Sequence, residues 1–444
     1  MASCRKLLTA GYVSATCAPE TSRAEPRSTR DTAMGAVAVP PRRRVRQIVD
    51  SLADPAFRSW FLSQTLSASG SMTQGVGQSW LVLKLTGSGV DLGLMTTFSF
   101  LPVTVTGSWA GALVDRIARR RLLIATQILF IMLSASLGAL TASGVVRVWM
   151  VFAFAVAFGL VNAADAPGRQ VYVLELVGAD RLANAVSLNE VVLNASRVLG
   201  PAVGGILLVT SGVSACFFFN AVTFVPPLLV LLVHRSATSV TPESPRTARA
   251  GQVRDGLRYA WGTPAIRICL FMAAASGMLF SLGASLPLLA TKVLRLGEGG
   301  YGLLMAVFGV GAIVGAMFAA AAGGPPSFRT IRVLAILTGL SIIATAGALG
   351  VGMAIVGFAA TGCLSIWFIS QANALVQMRA EPSMRGRVMG IWTMALPGAT
   401  PVTSPLVGWV AGSIGAREGF GLAGIALLAT VGAGWRALSD ADTP

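Results

Sequence analysis

A chain of 444 residues that is 54% hydrophobic and only 12% charged, with a mean hydropathy of +0.72, lacks the charge to solvate a soluble surface, which ordinarily carries about 25% charged residues. The net charge of +16 is not a nucleic-acid footprint, because the Lys and Arg crowd into the N-terminal tail and the short gaps between long apolar runs. One histidine, His234, and five cysteines without the close spacing of a redox or zinc pair exclude a metal centre and a His-dependent triad.

Residues 1–50 are rich in Arg, Ser, Thr and Pro and hold no apolar stretch long enough for a signal-peptide core, so they read as a disordered basic tail, with Met1 and Met34 both open as starts. Spanning helices of about 20 apolar residues then follow in order. They are expected over 59–83, 92–114, 122–146, 148–164, two within 182–233 split near Ser211-Gly212, 268–291, 299–328, two within 333–378 with a turn near Gly350, 388–416 and 419–435. These make twelve. Trp60 and Trp80 are expected as belt residues at the two interfaces.

The loops facing the tail's side hold nearly all the Lys and Arg, while the opposite loops hold only Lys84, Arg147, Lys292, Arg295 and Arg417, and Arg197 alone lies inside a span. That asymmetry predicts both termini in the cytoplasm. Asp54-Pro55-Ala56-Phe57-Arg58 is echoed by Thr263-Pro264-Ala265-Ile266-Arg267, Gly111 by Gly315, and Gly200-Pro201-x-x-Gly204 by Ser404-Pro405-x-x-Gly408. Three echoes in order at nearly one offset imply an all-α membrane protein of 12 transmembrane helices in two parallel six-helix pseudo-repeats. The division expected is a first bundle over 51–233, a linker over 234–263, a second bundle over 264–437 and a short tail over 438–444.

Three features carry chemistry. Asp115 sits where the second span leaves the membrane, in Gly111-Ala-Leu-Val-Asp115-Arg116-Ile-Ala118-Arg119-Arg120-Arg121. A carboxylate there can cap a neighbouring helix or pair with an Arg, and so act as a conformational latch. In the fifth span, Ser187, Glu190, Asn194 and Arg197 share one helical face, and charges at membrane depth point to function. Just beyond them, Gly200-Pro201-Ala-Val-Gly204-Gly205 combines a lost backbone hydrogen bond with a thinned surface, which predicts a bend and a close contact between the halves.

The loop motif resembles the signature of the major facilitator superfamily, with Ala118 in place of the usual Gly, and the resemblance extends over about 54–437. It implies that Asp115 meets the start of the eleventh helix, and that Arg119 pairs with an acidic group at the end of the fourth, for which Asp165 is the candidate. Because helices one, four, seven and ten line the cavity in that superfamily, it also implies Gln64, Asn162 and Gln371 as cavity groups. The helix-five motif, preceded by Ser196, and the stretch Asp165-x-Pro167-x-Arg169 resemble the branch of siderophore and multidrug exporters related to the enterobactin exporter. The function implied is secondary active transport by alternating access, with efflux of a small organic compound. Protons are the candidate coupling ion, in a monomer of the cell membrane that needs no cofactor. Uptake, lipid flipping and a non-transporting sensor are the rivals. An enzyme is disfavoured, since no acid–base pair or activated nucleophile lies at membrane depth, and no Walker-type motif occurs.

Overall fold

The computed structural model describes residues 53–178, 182–234, 257–322, 326–381 and 384–435. Side chains at a few positions within these ranges, among them Gly111, Asp115, Arg116, Glu190 and Asn194, lie outside the described residues, as do the two tails and most of the linker. The helices are α1 (Pro55–Thr86), α2 (Gly89–Arg116), α3 (Arg119–Ala142), α4 (Val148–Val177), α5 (Leu182–Thr210), α6 (Val213–Val233), α7 (Pro264–Val293), α8 (Glu298–Ala321), α9 (Phe328–Ala346), α10 (Val351–Arg379), α11 (Arg385–Ser413) and α12 (Ala416–Ala433). Ten of them are long and apolar enough to cross a membrane by length and composition. The other two, α1 and α11, are as long but rich in Ser, Thr and Gly, with Gln64, Gln74 and Gln78 besides in α1.

Local chemistry sets the ends. The Asp54 carboxylate accepts from the Ala56 and Phe57 amides at 2.7 and 3.2 Å, and Pro55 opens the helix where its missing N–H costs nothing. Gly87 closes α1 at φ 64°, a conformation glycine adopts without strain. Ser327 caps α9 in the same manner, accepting from the Thr330 amide at 3.1 Å. The fourth helix runs well beyond the expected end at 164, to Val177, because Asp165 and Arg169 neutralise each other inside it. In the seventh, α-helix gives way to a 3-10 turn over Met278–Ser281, resumes over Leu282–Leu288 and loosens to a π turn over Leu289–Val293.

Buried apolar residues define how the halves meet. One large core joins them at the face where α1 ends and α2 begins: Trp80, Leu81 and Leu92 from the first half pack with Leu282, Tyr301 and Val407 from the second. At the other face the cores separate. Trp60, Leu123, Tyr172 and Leu231 cluster within the first half, while Ile266, Met272, Phe328, Phe368 and Trp392 cluster within the second. Among the described residues the halves are therefore joined at one face, called the closed face below, and each is packed independently at the other. The expected belt tryptophans are in these cores instead. Trp60 lies edge-on to Tyr172 with ring centres 4.7 Å apart, and Trp80 stacks on Tyr301.

Candidate functional site

The closed face is built by backbone-to-backbone contact. A Cβ on Gly89 or Gly93 of α2 would run into the backbone carbonyls of Gly408 and Ser404 on α11, and one on Gly408 would meet Gly89. The Thr97 hydroxyl adds a hydrogen bond to the Pro401 carbonyl at 2.9 Å. The second seam joins α5 and α8, where Gly205 faces Gly302 so closely that neither has room for a side chain. Small residues permit such approach where water cannot drive packing.

The helix-five motif divides its labour. Gly200 and Gly204 do not face the other half: they pack on α1 beside Ser69, Met72 and Val76, and the Thr73 hydroxyl donates to the Gly200 carbonyl at 2.8 Å. Only Gly205 and the carbonyls around Pro201 meet α8. Pro201 offers no N–H to the Arg197 carbonyl one turn earlier. That carbonyl lies against α8 at Gly309, where a Cβ would stand 2.5 Å from it. The second half repeats the joint with different atoms: the Ser281 and Ser404 hydroxyls share a hydrogen bond of 2.6 Å between α7 and α11.

At the opposite face, Arg119 pairs with Glu175 through Nη1 and Oε1, and both side chains are largely buried. Asp165 is not its partner. Asp165 lies deeper in the first half, fully buried, where its Oδ1 accepts from the Thr126 hydroxyl at 2.6 Å and the Gln127 amide at 2.9 Å. Arg169 Nε stands 2.6 Å from Oδ2 as a charge contact, off the line of a hydrogen bond. Arg120 turns away from both, donating to the Leu231 and Leu232 carbonyls at 2.7 and 3.0 Å and so capping the end of α6.

Gln64 belongs to the Asp165 cluster, since its Oε1 accepts from Arg169 Nη1 at 2.9 Å. Asn162 is half-buried on α4 and Gln371 buried on α10, and no described hydrogen bond links either to Gln64. Arg197 is half-buried on α5. A separate buried knot, in which Asn220 donates to Gln74 at 2.7 Å and to Ser134 at 3.1 Å, ties α1, α3 and α6 together. Sequence reasoning missed Glu175, which lies past the expected end of the fourth span, and the partners Thr126 and Gln127, whose polarity is unremarkable on a helix. It also missed Gly302 and Gly309, although the glycine density of α8 was a usable signal.

Twelve helices in two halves, joined through glycine seams at one face and separately cored at the other, define a membrane transporter of the major facilitator fold. The family model described as transmembrane secretion effector matches residues 49–440, and the chain belongs to that family. It is 25% identical to the staphyloferrin A transporter of Staphylococcus aureus over 83% of this chain and 93% of that protein. It is 28% identical to the multidrug efflux pump Tap of Mycolicibacterium fortuitum over 81% and 90% of the two chains, and 24% identical to the enterobactin exporter EntS of Shigella boydii over 84% and 91%. The fold is also that of a bacterial homologue of the human lysosomal transporter Spinster in an inward-facing, unoccupied conformation. That match has a TM-score of 0.68 at 13% identity, covering 87% of this chain and 97% of the other.

Proposed function

We propose that the chain is a proton-driven exporter of a moderately large amphipathic organic compound, of the drug or siderophore kind, working as a monomer with both termini in the cytoplasm. The observation that carries the reading is the unequal joining of the halves. A shared core and two glycine seams close one face, while the other face has two separate cores, as a carrier open to one side requires. With the termini cytoplasmic, the open face is the inward one, from which an exporter loads. The similarity to a drug pump and to siderophore transporters, over more than 80% of the chain, supports outward movement and that substrate class.

In this reading the bundles 51–233 and 264–437 rock as bodies, with 234–263 as the tether between them. Asp115 and Arg116, with Gly111 thinning the helix behind them, latch the inward face when it closes, and the Arg119–Glu175 pair holds the loop that presents them. Glu190, Asn194 and Arg197 supply the polar and charged groups of the translocation path, and Asn162 and Gln371 serve as cavity groups. No step needs a cofactor, metal or nucleic acid.

The test is flux in proteoliposomes against a panel of siderophores and cationic drugs, with and without an imposed proton gradient. Gradient-dependent movement away from the face that carries the termini is expected. Movement only in the opposite direction, or none for any compound in protein of verified fold, overturns the reading.

A further inference from the structure

Where the linker enters α7, a short helical turn over 257–262 lies across the end of the second half. One side of it is docked: Ala260 is buried in the core with Ile266 and Ile268, and the Tyr259 hydroxyl accepts from the Glu381 amide at 3.2 Å, just past the end of α10. The other side is apolar and uncovered, with Leu257 and Trp261, one turn apart, 50% and 57% exposed. Trp261 meets Phe271 of α7 edge-on with ring centres 5.8 Å apart, and Phe271 is itself 46% exposed on a membrane crossing. That contact puts Trp261 on the lipid-facing side of α7, where an amphipathic indole sits at headgroup level.

One turn before Phe271, the half-buried Arg267 holds its guanidinium over the Trp261 ring, 5.9 Å from the centre, and donates from Nη1 to the Trp261 carbonyl at 3.2 Å. A guanidinium has five N–H donors. Among the described residues that carbonyl takes one of them, and no carboxylate forms an ion pair with Arg267. A second arginine on an aromatic ring lies beside the first. A Cβ on Gly434 would stand 2.5 Å from Ile268, so the end of α12 touches α7 next to Arg267. The following residue, Trp435, is 49% exposed, and Arg332 of α9 stacks on its ring at 4.5 Å. Charge is lopsided here. Among the described residues at this end of the second half, Arg258, Arg267, Arg329, Arg332, Arg379 and Arg387 are matched by one acid, Glu381.

We propose that the crevice between the start of α7 and the end of α12 binds the headgroup of an anionic phospholipid. Arg267 is its principal phosphate donor and Arg332 the second, with Trp261 and Trp435 as flanking rings. Guanidinium N–H groups match phosphate oxygens in a fork, and rings stacked on the guanidinium limit the freedom it loses on binding. Inorganic phosphate offers the same oxygens but leaves Leu257, Trp261 and Phe271 against water. A lipid engages the arginines with its headgroup and covers those three with its acyl chains, so the apolar exposure beside the charge selects it. Bound there, it ties the last turn of the linker to α7, α9 and α12 at the membrane surface.

Native mass spectrometry of the full-length protein in detergent, titrated with phosphatidylglycerol or phosphatidylcholine, counts the lipid retained and needs no transport, so it stands apart from the exporter reading. Phosphatidylglycerol is expected to be held more tightly than phosphatidylcholine. Arg267→Gln and Arg332→Gln are each expected to weaken its retention about five-fold. Arg295→Gln, which removes an exposed arginine from the closed face, is expected to leave it unchanged. An equal loss in Arg295→Gln, equal retention of phosphatidylcholine, or displacement of the lipid by an equal concentration of inorganic phosphate overturns the proposal. If Arg267→Gln or Arg332→Gln does not fold, undiminished retention in the other decides against the site.

Discussion

Arg119 reaches Glu175, near the last turn of α4, and not Asp165, almost three turns deeper on the same helix. The pair is largely buried, so removing one member takes the opposite charge away from the other where water reaches it little. Arg119→Gln and Glu175→Gln are each expected to destabilise the protein by about 3 kcal/mol or more. The double variant is expected to cost less than the two single losses together, while Arg119→Gln with Asp165→Asn is expected to be additive. Thermal unfolding of the four variants in one detergent reads the difference, and strong coupling to Asp165 would contradict the assigned pairing.

Gly89 and Gly408 close their face by mutual backbone contact. Gly408→Val puts atoms where the Gly89 carbonyl stands, at an overpacking cost of about 1–3 kcal/mol borne by the closed arrangement alone. A cysteine at Leu92, wholly buried in the shared core, is expected to react with maleimide roughly five-fold to a hundred-fold faster in that background. Unchanged labelling would mean that the seam does not hold this face shut.

Thr73 donates to the Gly200 carbonyl, which already serves the helix as an acceptor. Thr73→Val keeps the shape and loses one hydrogen bond, an expected cost of about 0.5–1.5 kcal/mol. Gly200→Ala, which drives a methyl into Met72 and the Ser69 carbonyl, is expected to cost more. A reversed order of melting temperatures would refute the packing assigned to the helix-five motif.

Asn220 binds Gln74 and Ser134 at once, so Asn220→Leu takes a donor from each, leaving buried Gln74 only the Ser134 hydroxyl at 2.9 Å and Ser134 no donor. The expected loss is about 1–3 kcal/mol of stability. Melting without added substrate checks it.

The helix pattern was legible because bilayer thickness leaves a strong imprint: apolar runs of fixed length separated by short basic gaps. The polar α1 and α11 are helical over nearly all of the ranges expected of them. Pairings were not legible. Asp165 was taken as the partner of Arg119 because an acid near a helix end is the simplest candidate, yet the end lay at Val177 and Glu175 was nearer. Trp60 and Trp80 were read as interface residues from their positions near span ends, but tertiary packing against Tyr172 and Tyr301 claimed them. For the helix-five motif, composition signalled close contact but not direction. A glycine is equally suited to a neighbour in its own half or across the seam, and only the helix rotation separates Gly204 from Gly205.

The change of helical pitch along α7 bears on how the closed face can let go. Leu282–Leu288, whose residues touch α1 and α2, is a short rigid rod with a tighter coil before it and a wider one after it. Softer joints on both sides allow the rod to swing as a plug while the flanking lengths of α7 stay anchored. A twist confined to those joints would release that end without unwinding a whole membrane crossing.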